Sequence, residues 1–290
     1  MKNQGSKMTS YGIYGYEISI VYELEGYKLV PYYEDLSNIK KLASDPKNYH
    51  LTGFLEIDNK EPDVDNLIFN LQSVLSFIDQ KNVIIMNRLH EHETYTCLDD
   101  GYQKILTTEN RRNGGSGKLI SSDFISRTSR KEFIVKALKR LDVTCDEAFR
   151  NAFFRSVETI RGSGRFVDVD YYLLFSALET LCRFHASDYQ TKNVSIPIAK
   201  VLIEFGFDIS QNNTMDLHKA VSTYAHLRNA LFHNSKLECE LNLNGQIKML
   251  RLIDYYSQFK RLVPLAIMKS LGFDDGRINW NCWLDRMPFK

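Results

Sequence analysis

The N-terminal part of the chain alternates apolar and polar side chains in short runs, and this pattern predicts β-strands. In the first run, apolar residues stand at every second position from Ile18 to Leu24, separated mostly by glutamate or serine, as in a half-buried strand. Gly26 provides a turn to the next run. Pro31 indicates an edge strand there, because proline has no amide hydrogen to donate. The predicted strands cover residues 17–25, 27–33, 51–57 and 83–86.

Helical spacing replaces this alternation in one N-terminal stretch and in nearly all of the second part of the chain. Apolar residues there recur every three or four positions, which places them on one face of a helix. Thr144 and Glu147 have the spacing of a capping box, Asp168 or Asp170 is the predicted N-cap of the next long helix, and Pro264 predicts a break or bend. The predicted helices cover residues 64–78, 131–141, 148–160, 171–185, 196–205, 213–235 and 246–271.

The order of these elements predicts an α+β fold with two domains. A small β-rich N-terminal domain is expected over residues 1–106. An antiparallel helical bundle is expected over residues 131–290, and its C-terminal extension begins at Gly272.

Residues 107–130 are rich in glycine, serine, threonine, asparagine and arginine, and are expected to form a flexible linker between the domains. Gly117 and Lys118 resemble the end of a phosphate-binding loop. However, Arg112 replaces a required glycine, and Leu119 replaces the serine or threonine that would hold magnesium. The linker reading is therefore favoured over a nucleotide-binding loop.

The predicted helix over residues 213–235, with Asn213 as its N-cap, carries a charge on its apolar face. Arg228 lies in the middle of that face, and an unpaired buried charge is strongly destabilising, so it must be paired or open onto a cleft or a partner. Glu179, on the helix over residues 171–185, is the predicted partner. The pair either holds the guanidinium for a function or is only structural. The apolar face comprises Leu217, Ala220, Val221, Tyr224, Ala225, Leu231 and Phe232.

His233 lies five residues after Arg228, which rotates it by about 140° on an ideal helix, so the two side chains do not share a face. Two arrangements bring them together. A loosened last turn, which Asn234 and Ser235 indicate, lets the histidine swing toward the arginine. Alternatively, residues of two subunits meet across a two-fold axis.

Arg228, Asn229, three further residues and His233 resemble the Arg-x4-His motif of HEPN domains. Residues 170–182 resemble the acidic Ala-Leu-Glu-x-Leu helix of the same family and place Glu179 where members often keep an acid. The combination looks most like the ApeA-like branch. The resemblance covers roughly the C-terminal half of the chain and rests on these two short motifs.

The resemblance implies a HEPN-like helical bundle that acts as a metal-independent endoribonuclease, in a toxin or an antiphage defence effector. His233 is expected to act as general base or acid, Arg228 to stabilise the charge on the phosphorane, and Asn229 to position the phosphate. Glu179 and Tyr224 are the candidate supporting residues. The site of the family is composite, so a homodimer is expected. The alternative is a catalytically silent HEPN-like module that dimerises or binds RNA or protein.

The charge composition indicates which residues are candidates for contact with RNA. The net charge is only +1, so the chain has no polyelectrolyte character, and contacts with RNA must come from local patches. The candidate RNA-binding residues are Arg111, Arg112, Lys118, Lys136, Lys139 and Arg140.

The remaining composition predicts a soluble, cytoplasmic protein without a metal or cofactor. The five cysteines are odd in number and scattered, which indicates reduced thiols, and no apolar run is long enough for a membrane span. His90 and His92 have metal-ligand spacing on a strand, and they leave open a metal-dependent nuclease as a third option. No further ligands are indicated near them, so a solvated polar loop is the favoured interpretation.

Overall fold

The computed structural model describes residues 8–58, 61–88, 105–107, 117–142, 146–161, 166–243 and 245–290. It shows a mixed α+β chain with a small antiparallel sheet, which confirms the predicted fold class at that level. The chain divides into two compact units, each discontinuous in sequence. The first unit spans residues 1–114, 120–139 and 160–164, and the second spans residues 115–119, 140–159 and 165–290. Residues 120–139, which the sequence analysis divided between linker and bundle, therefore group with the first unit.

The β-strands of the first unit form one antiparallel sheet. They are β1 (Met8–Tyr14), β2 (Tyr22–Leu24), β3 (Tyr27–Pro31), β4 (Asn48–Asp58), β5 (Ile84–Arg88) and β6 (Ile105–Thr107). The order is β2-β3-β4-β1-β5, and β6 pairs with residues 48–50 of β4. The predictions over 27–33, 51–57 and 83–86 are confirmed as β3, β4 and β5.

The strand predicted over residues 17–25 is wrong except at β2. Gly15 leaves β1 at φ 79°, and the backbone groups of Glu17 then bond side chains: its amide donates to Asp79 Oδ2 at 3.3 Å, and its carbonyl accepts from Arg130 Nη1 at 2.6 Å. Pro31 does not mark an edge strand either. Pro31 is the last residue of β3 and pairs with Gly53 of β4. The three-residue β2 does not extend as far as Pro31, so the missing amide hydrogen removes no hydrogen bond between β3 and β2.

The helices of the first unit are α1 (Leu36–Ala43), α2 (Val64–Asp79) and most of α3 (Ser129–Asp142). The side chains of Asp35 and Asp63 cap the first two by accepting hydrogen bonds from the amides of Ser37 and Asn66. Helices α2 and α3 confirm the predictions over 64–78 and 131–141, whereas α1 is too short for periodicity to indicate it.

Arg130, at the start of α3, is fully buried and anchors the core of the first unit. Its guanidinium donates to the carbonyls of Ser121 and Glu17 at 3.1 and 2.6 Å and to Asp79 Oδ1 at 3.3 Å. The charge is thus paired and each of the three guanidinium nitrogens donates a hydrogen bond, which satisfies the condition for burying an arginine. This residue ends the predicted linker, so the end of that segment is part of a core.

The second unit is mainly helical. Its helices are α4 (Glu147–Arg161, up to residue 159), α5 (Val167–Ala186), α6 (Ser195–Glu204), α7 (Val221–Asn234), α8 (Leu252–Ser270) and α9 (Cys282–Asp285). Phe259 of α8 lies at the centre of its core, with its ring centroid 5.0, 5.9 and 4.9 Å from those of Tyr171, Phe175 and Tyr224. Helices α5, α7 and α8 therefore share one aromatic core.

The helix predicted over residues 246–271 is wrong in its first part. Residues Glu238–Leu243 form β7, and Gln246–Arg251 form β8, which pairs antiparallel with β7. Leu243 pairs with Gln246, so the connection has two residues, and its sequence is the Asn-Gly dipeptide typical of tight hairpins. Helix α8 then runs to Ser270 through Pro264, so the predicted break at this proline is absent from the described helix.

The predicted N-cap of α5 is wrong as well. The N-cap of α5 is Phe166, which makes no side-chain capping bond, and Asp168 and Asp170 lie inside the first turn. Asp170 instead accepts a hydrogen bond from the Tyr256 hydroxyl at 2.8 Å. Thr144 of the predicted capping box lies outside the described residues.

Candidate functional site

Helix α7, which carries Arg228, is shorter than the predicted helix over residues 213–235. A 3₁₀ turn covers Leu217–Lys219, and Ala220 is extended before α7 begins at Val221. Asn213 does not cap α7: its side chain accepts from the amides of Met215 and Asp216 at 3.1 and 2.9 Å and closes a local turn. The Val221 amide donates to the Ser210 carbonyl at 3.0 Å, and this bond fixes where the helix starts.

Arg228 lies on the inner side of α7 without being sealed in the core, and 26% of its side chain is exposed. Its guanidinium stacks over the rings of Phe232 and Phe175, 4.7 and 5.7 Å from their centroids. Arg228 Nη1 donates a hydrogen bond to Asn229 Oδ1 at 3.0 Å. The Nε of Arg228 is buried and has no hydrogen-bond partner among the described residues. The aromatic rings thus hold the guanidinium plane, and part of its donor capacity remains unused.

Glu179 pairs with Arg228 only loosely. The distance from Glu179 Oε2 to Arg228 Nη2 is 3.8 Å, which is an ion pair without a bidentate hydrogen bond. Glu179 Oε1 accepts from Arg183 Nε at 2.8 Å, and the Arg183 guanidinium also donates to the Thr191 carbonyl at 3.2 Å. The predicted pairing is therefore present, but the acid is held mainly by Arg183.

Tyr224, one turn before Arg228, lies in the core. Its hydroxyl donates to the His218 carbonyl at 2.8 Å, and its carbonyl accepts from the Tyr171 hydroxyl at 2.7 Å. Burial raises the pKa of Tyr224 well above its usual value, so its hydroxyl stays protonated. Its contacts fix α7 against α5 and the 3₁₀ turn.

Arg228 opens onto a cleft of about 500 Å³, which we call the Arg228 cleft. It is lined by α5, by residues 192–195, by residues 211–212 and by α7. Its cationic side chains are Arg183, Lys192 and Arg228, and its only acidic side chain among the described residues is Glu179. The cleft therefore carries a net positive charge and suits an anionic ligand.

The two histidines of α7 differ in position. His226 lines the Arg228 cleft together with Asn229. His233 is exposed in the last turn of α7 and is not among the residues that line the cleft, and no hydrogen bond joins it to Arg228 in this described helix. Within one chain, the arginine and asparagine of the motif thus lie at a cleft whose lining histidine is His226.

The candidate RNA-binding residues have different environments. Arg140 is engaged internally: it donates to Asp146 Oδ2 at 2.7 Å and to the Ser270 carbonyl, and it stacks over Phe149. Lys136 pairs with Glu132 at 3.2 Å on an exposed face of α3, and Lys139 is exposed on the same helix. Lys118 is half-buried. Arg111 and Arg112 lie outside the described residues.

Sequence reasoning missed the polar residues that complete the cleft. His226, Lys192, Asn193, Gln211 and Asn212 were not among the candidate site residues, although all five line the cleft. Only one sequence signal pointed to them, the amide-rich run Gln-Asn-Asn over residues 211–213, placed shortly before the helix of Arg228.

The described residues contain neither a candidate metal site nor a candidate membrane span. No group of three or more His, Cys, Asp or Glu side chains there is placed to hold a metal ion, and His90 and His92 lie outside this part of the chain. None of the helices described has the length and apolar character needed to cross a bilayer.

Comparison with known protein families, curated proteins and solved structures finds no match to this chain.

Proposed function

We propose that this chain is a metal-independent endoribonuclease in which Arg228, Asn229 and His233 perform the cleavage. The observation that supports this most is the state of Arg228. Its guanidinium lines a positively charged cleft, its side chain is partly exposed, and its Nη2 makes only a loose ion pair of 3.8 Å with Glu179. An arginine held in this way can bind a phosphate in a fixed direction, whereas one in a saturated structural ion pair has no donors left.

The proposed reaction is transesterification of RNA. The ribose 2′-hydroxyl attacks the adjacent phosphorus, and the bond from phosphorus to the 5′-oxygen breaks. A base removes the 2′-proton and an acid protonates the leaving 5′-oxygen, so the products are a 2′,3′-cyclic phosphate and a free 5′-hydroxyl. His233 serves as base or acid, Arg228 stabilises the charge on the phosphorane, and Asn229 positions the phosphate.

The proposal includes a homodimer, because His233 and Arg228 do not meet within one chain. An exposed apolar stripe on α5 supports it. It comprises Phe166, the N-cap of α5, followed by Val169 and Tyr172 on the helix, and these side chains are 75%, 44% and 50% exposed. Tyr172 also packs against Phe232 of α7, with ring centroids 4.7 Å apart. A two-fold contact over this stripe buries apolar surface beside the motif helix and brings two copies of the motif together.

The wider role is proposed from the family resemblance of the two motifs. It comprises a HEPN-like bundle in the second unit and a toxin or antiphage effector that acts in the cytoplasm. The odd number and scattered spacing of the five cysteines support a reducing compartment.

The proposed function is tested by incubating purified protein with total RNA in a chelator and mapping the product ends. We expect cyclic phosphates and 5′-hydroxyls, and a rate lowered about 10²–10⁴-fold by His233→Ala. His185→Ala is the matched control, because His185 packs on Phe205 outside the cleft. Equal rates for wild type and His233→Ala exclude the proposed reaction.

One observation favours a second candidate function, a catalytically silent module that binds RNA or protein. His233 is exposed and shares no hydrogen bond with Arg228 in this described helix. If the chain binds RNA but cleaves none in the same assay, the silent module replaces the nuclease.

A further inference from the structure

Amide side chains, as well as cationic ones, line the Arg228 cleft. Asn193, Gln211, Asn212 and Asn229 all contribute, and among the described lining residues only Val194 and Ala225 are apolar. A site built for a bare anion needs only positive charge and amide hydrogens. Four carboxamides offer donors and acceptors side by side, which is the combination that recognises the edge of a nucleobase.

Much of this hydrogen-bonding capacity is unused within the chain. Asn193 Oδ1 accepts from the amide and hydroxyl of Ser195 at 3.1 and 2.7 Å, and Gln211 Nε2 donates to the Ser195 hydroxyl at 3.4 Å. These bonds orient the two amides but leave Asn193 Nδ2 and Gln211 Oε1 available. The Asn212 side chain is exposed and makes no hydrogen bond in the described structure, although it lines the cleft.

Asn229 accepts a hydrogen bond from Arg228, whereas Asn193 and Gln211 are separate from the arginines in their bonding. Arg183, Glu179 and Arg228 form one connected group through the 2.8 and 3.8 Å contacts, whereas Ser195 connects Asn193 and Gln211 into another. The first group suits a phosphate and the second a base. The cleft volume of about 500 Å³ is within the range of small-ligand sites.

We propose that the Arg228 cleft binds one unpaired nucleotide of single-stranded RNA, with its base recognised by Gln211, Asn212 and Asn193 and its phosphate bound by Arg228 and Lys192. This inference rests on the proposed RNA substrate and adds the residues that determine base preference. A base in a duplex has its edge paired and stacked, so the cleft selects single-stranded regions.

The test measures binding without cleavage. Fluorescently labelled 2′-O-methyl tetranucleotides of each base are titrated with the protein, since they lack the free 2′-hydroxyl that transesterification requires. We expect the preferred base to bind at least about tenfold more tightly than the weakest. Gln211→Ala and Asn212→Ala each reduce that preference to about threefold or less. Gln246→Ala, an exposed amide on β8 outside the cleft, leaves it unchanged.

A charge control separates base recognition from phosphate binding. Lys192→Ala weakens all four oligonucleotides to a similar degree, about threefold, and Lys200→Ala, an exposed lysine of α6 outside the cleft, has no effect. The melting temperature of every variant confirms that it is folded.

Binding of all four bases with equal affinity, an unchanged preference in both amide variants, or no binding at all overturns the inference. The result is independent of the nuclease. If the base preference is present and depends on Gln211 and Asn212 but wild type cuts no RNA, the proposed reaction fails and the nucleotide site stands. If RNA is cut without base preference, only the nucleotide site fails.

Discussion

Arg228 Nη2 lies 3.8 Å from Glu179 Oε2, while the other oxygen of the same carboxylate bonds Arg183 at 2.8 Å. The acid therefore orients two cations and neutralises only one charge. The guanidinium of Arg228 therefore faces the cleft with hydrogen-bond donors still available. A bidentate pair with Glu179 would have used two of those donors.

Removing the charge of Glu179 strengthens RNA binding. Among the described residues that line the cleft, it is the only acidic one, so Glu179→Gln raises the positive potential there. We expect affinity for a 2′-O-methyl oligonucleotide to rise about two- to five-fold, the size typical of one partly exposed charge. Fluorescence anisotropy measures it. Glu204→Gln on α6, outside the cleft, is the control, and unchanged or weaker binding by Glu179→Gln contradicts the assigned charge balance.

Charges on the apolar stripe of α5 separate the proposed dimer. Val169→Arg or Tyr172→Asp places an unpaired charge where two copies are expected to meet, and burying it there is unfavourable. Sedimentation velocity is expected to show monomers, and RNA cleavage is expected to fall with dimerisation. Met215→Asp is the matched control, because Met215 is 95% exposed and lies off the stripe. A stripe variant that remains dimeric and active would show that the interface lies elsewhere.

Removing the buried guanidinium of Arg130 is expected to lower the free energy of unfolding of the first unit. Arg130→Met leaves the Asp79 carboxylate and the carbonyls of Glu17 and Ser121 without their partner. We expect the free energy of unfolding to fall by about 3–5 kcal/mol. Urea denaturation followed by circular dichroism measures it, and Arg127→Met, at an exposed position, is the control. A loss below about 1 kcal/mol would mean that the network contributes little.

His185 makes the stability of the second unit depend on pH. Burial, together with the nearby guanidinium of Arg140, lowers the pKa of His185 below its usual value. The unfolded chain therefore binds this proton more readily than the folded chain. The stabilising contribution is complete above about pH 6.5 and is lost as the pH falls toward the lowered pKa. We expect His185→Gln to reduce the slope of unfolding free energy against pH between about 5 and 7. Identical slopes for both proteins would contradict this.

Local patterns predicted much of the fold. Amphipathic periodicity located α2, α3, α5 and α6, and the candidate strand over residues 51–57 located β4. The predictions failed where contacts between residues distant in sequence determine the local backbone structure. Residue 17 looks like part of a strand, but its backbone bonds Asp79 and Arg130, which are far away in sequence. The Asn-Gly dipeptide at residues 244–245 is a hairpin signal in the sequence, but the helical spacing read into residues 246–251 hid the β7–β8 hairpin.

The candidate site was predictable only in part, for the same reason. Arg228 stood out because one charge interrupted an apolar face, and Glu179 because it lay at the edge of another. Gln211, Asn212 and His226 gave no comparable signal, since exposed polar residues are ordinary in loops and on outer helix faces. Their significance comes from the fold, which brings residues 192–195 and 211–212 beside α7.

The central claim is that the Arg228 guanidinium stabilises the transition state of RNA cleavage. The most direct test is the initial rate of cleavage of a single-stranded RNA, in excess chelator, by wild type, Arg228→Ala and the control Arg277→Ala, which changes an exposed arginine outside the cleft. We predict a fall of about 10²–10³-fold for Arg228→Ala, with an unchanged melting temperature and with the control at the wild-type rate. Equal rates for wild type and a folded Arg228→Ala would contradict the account.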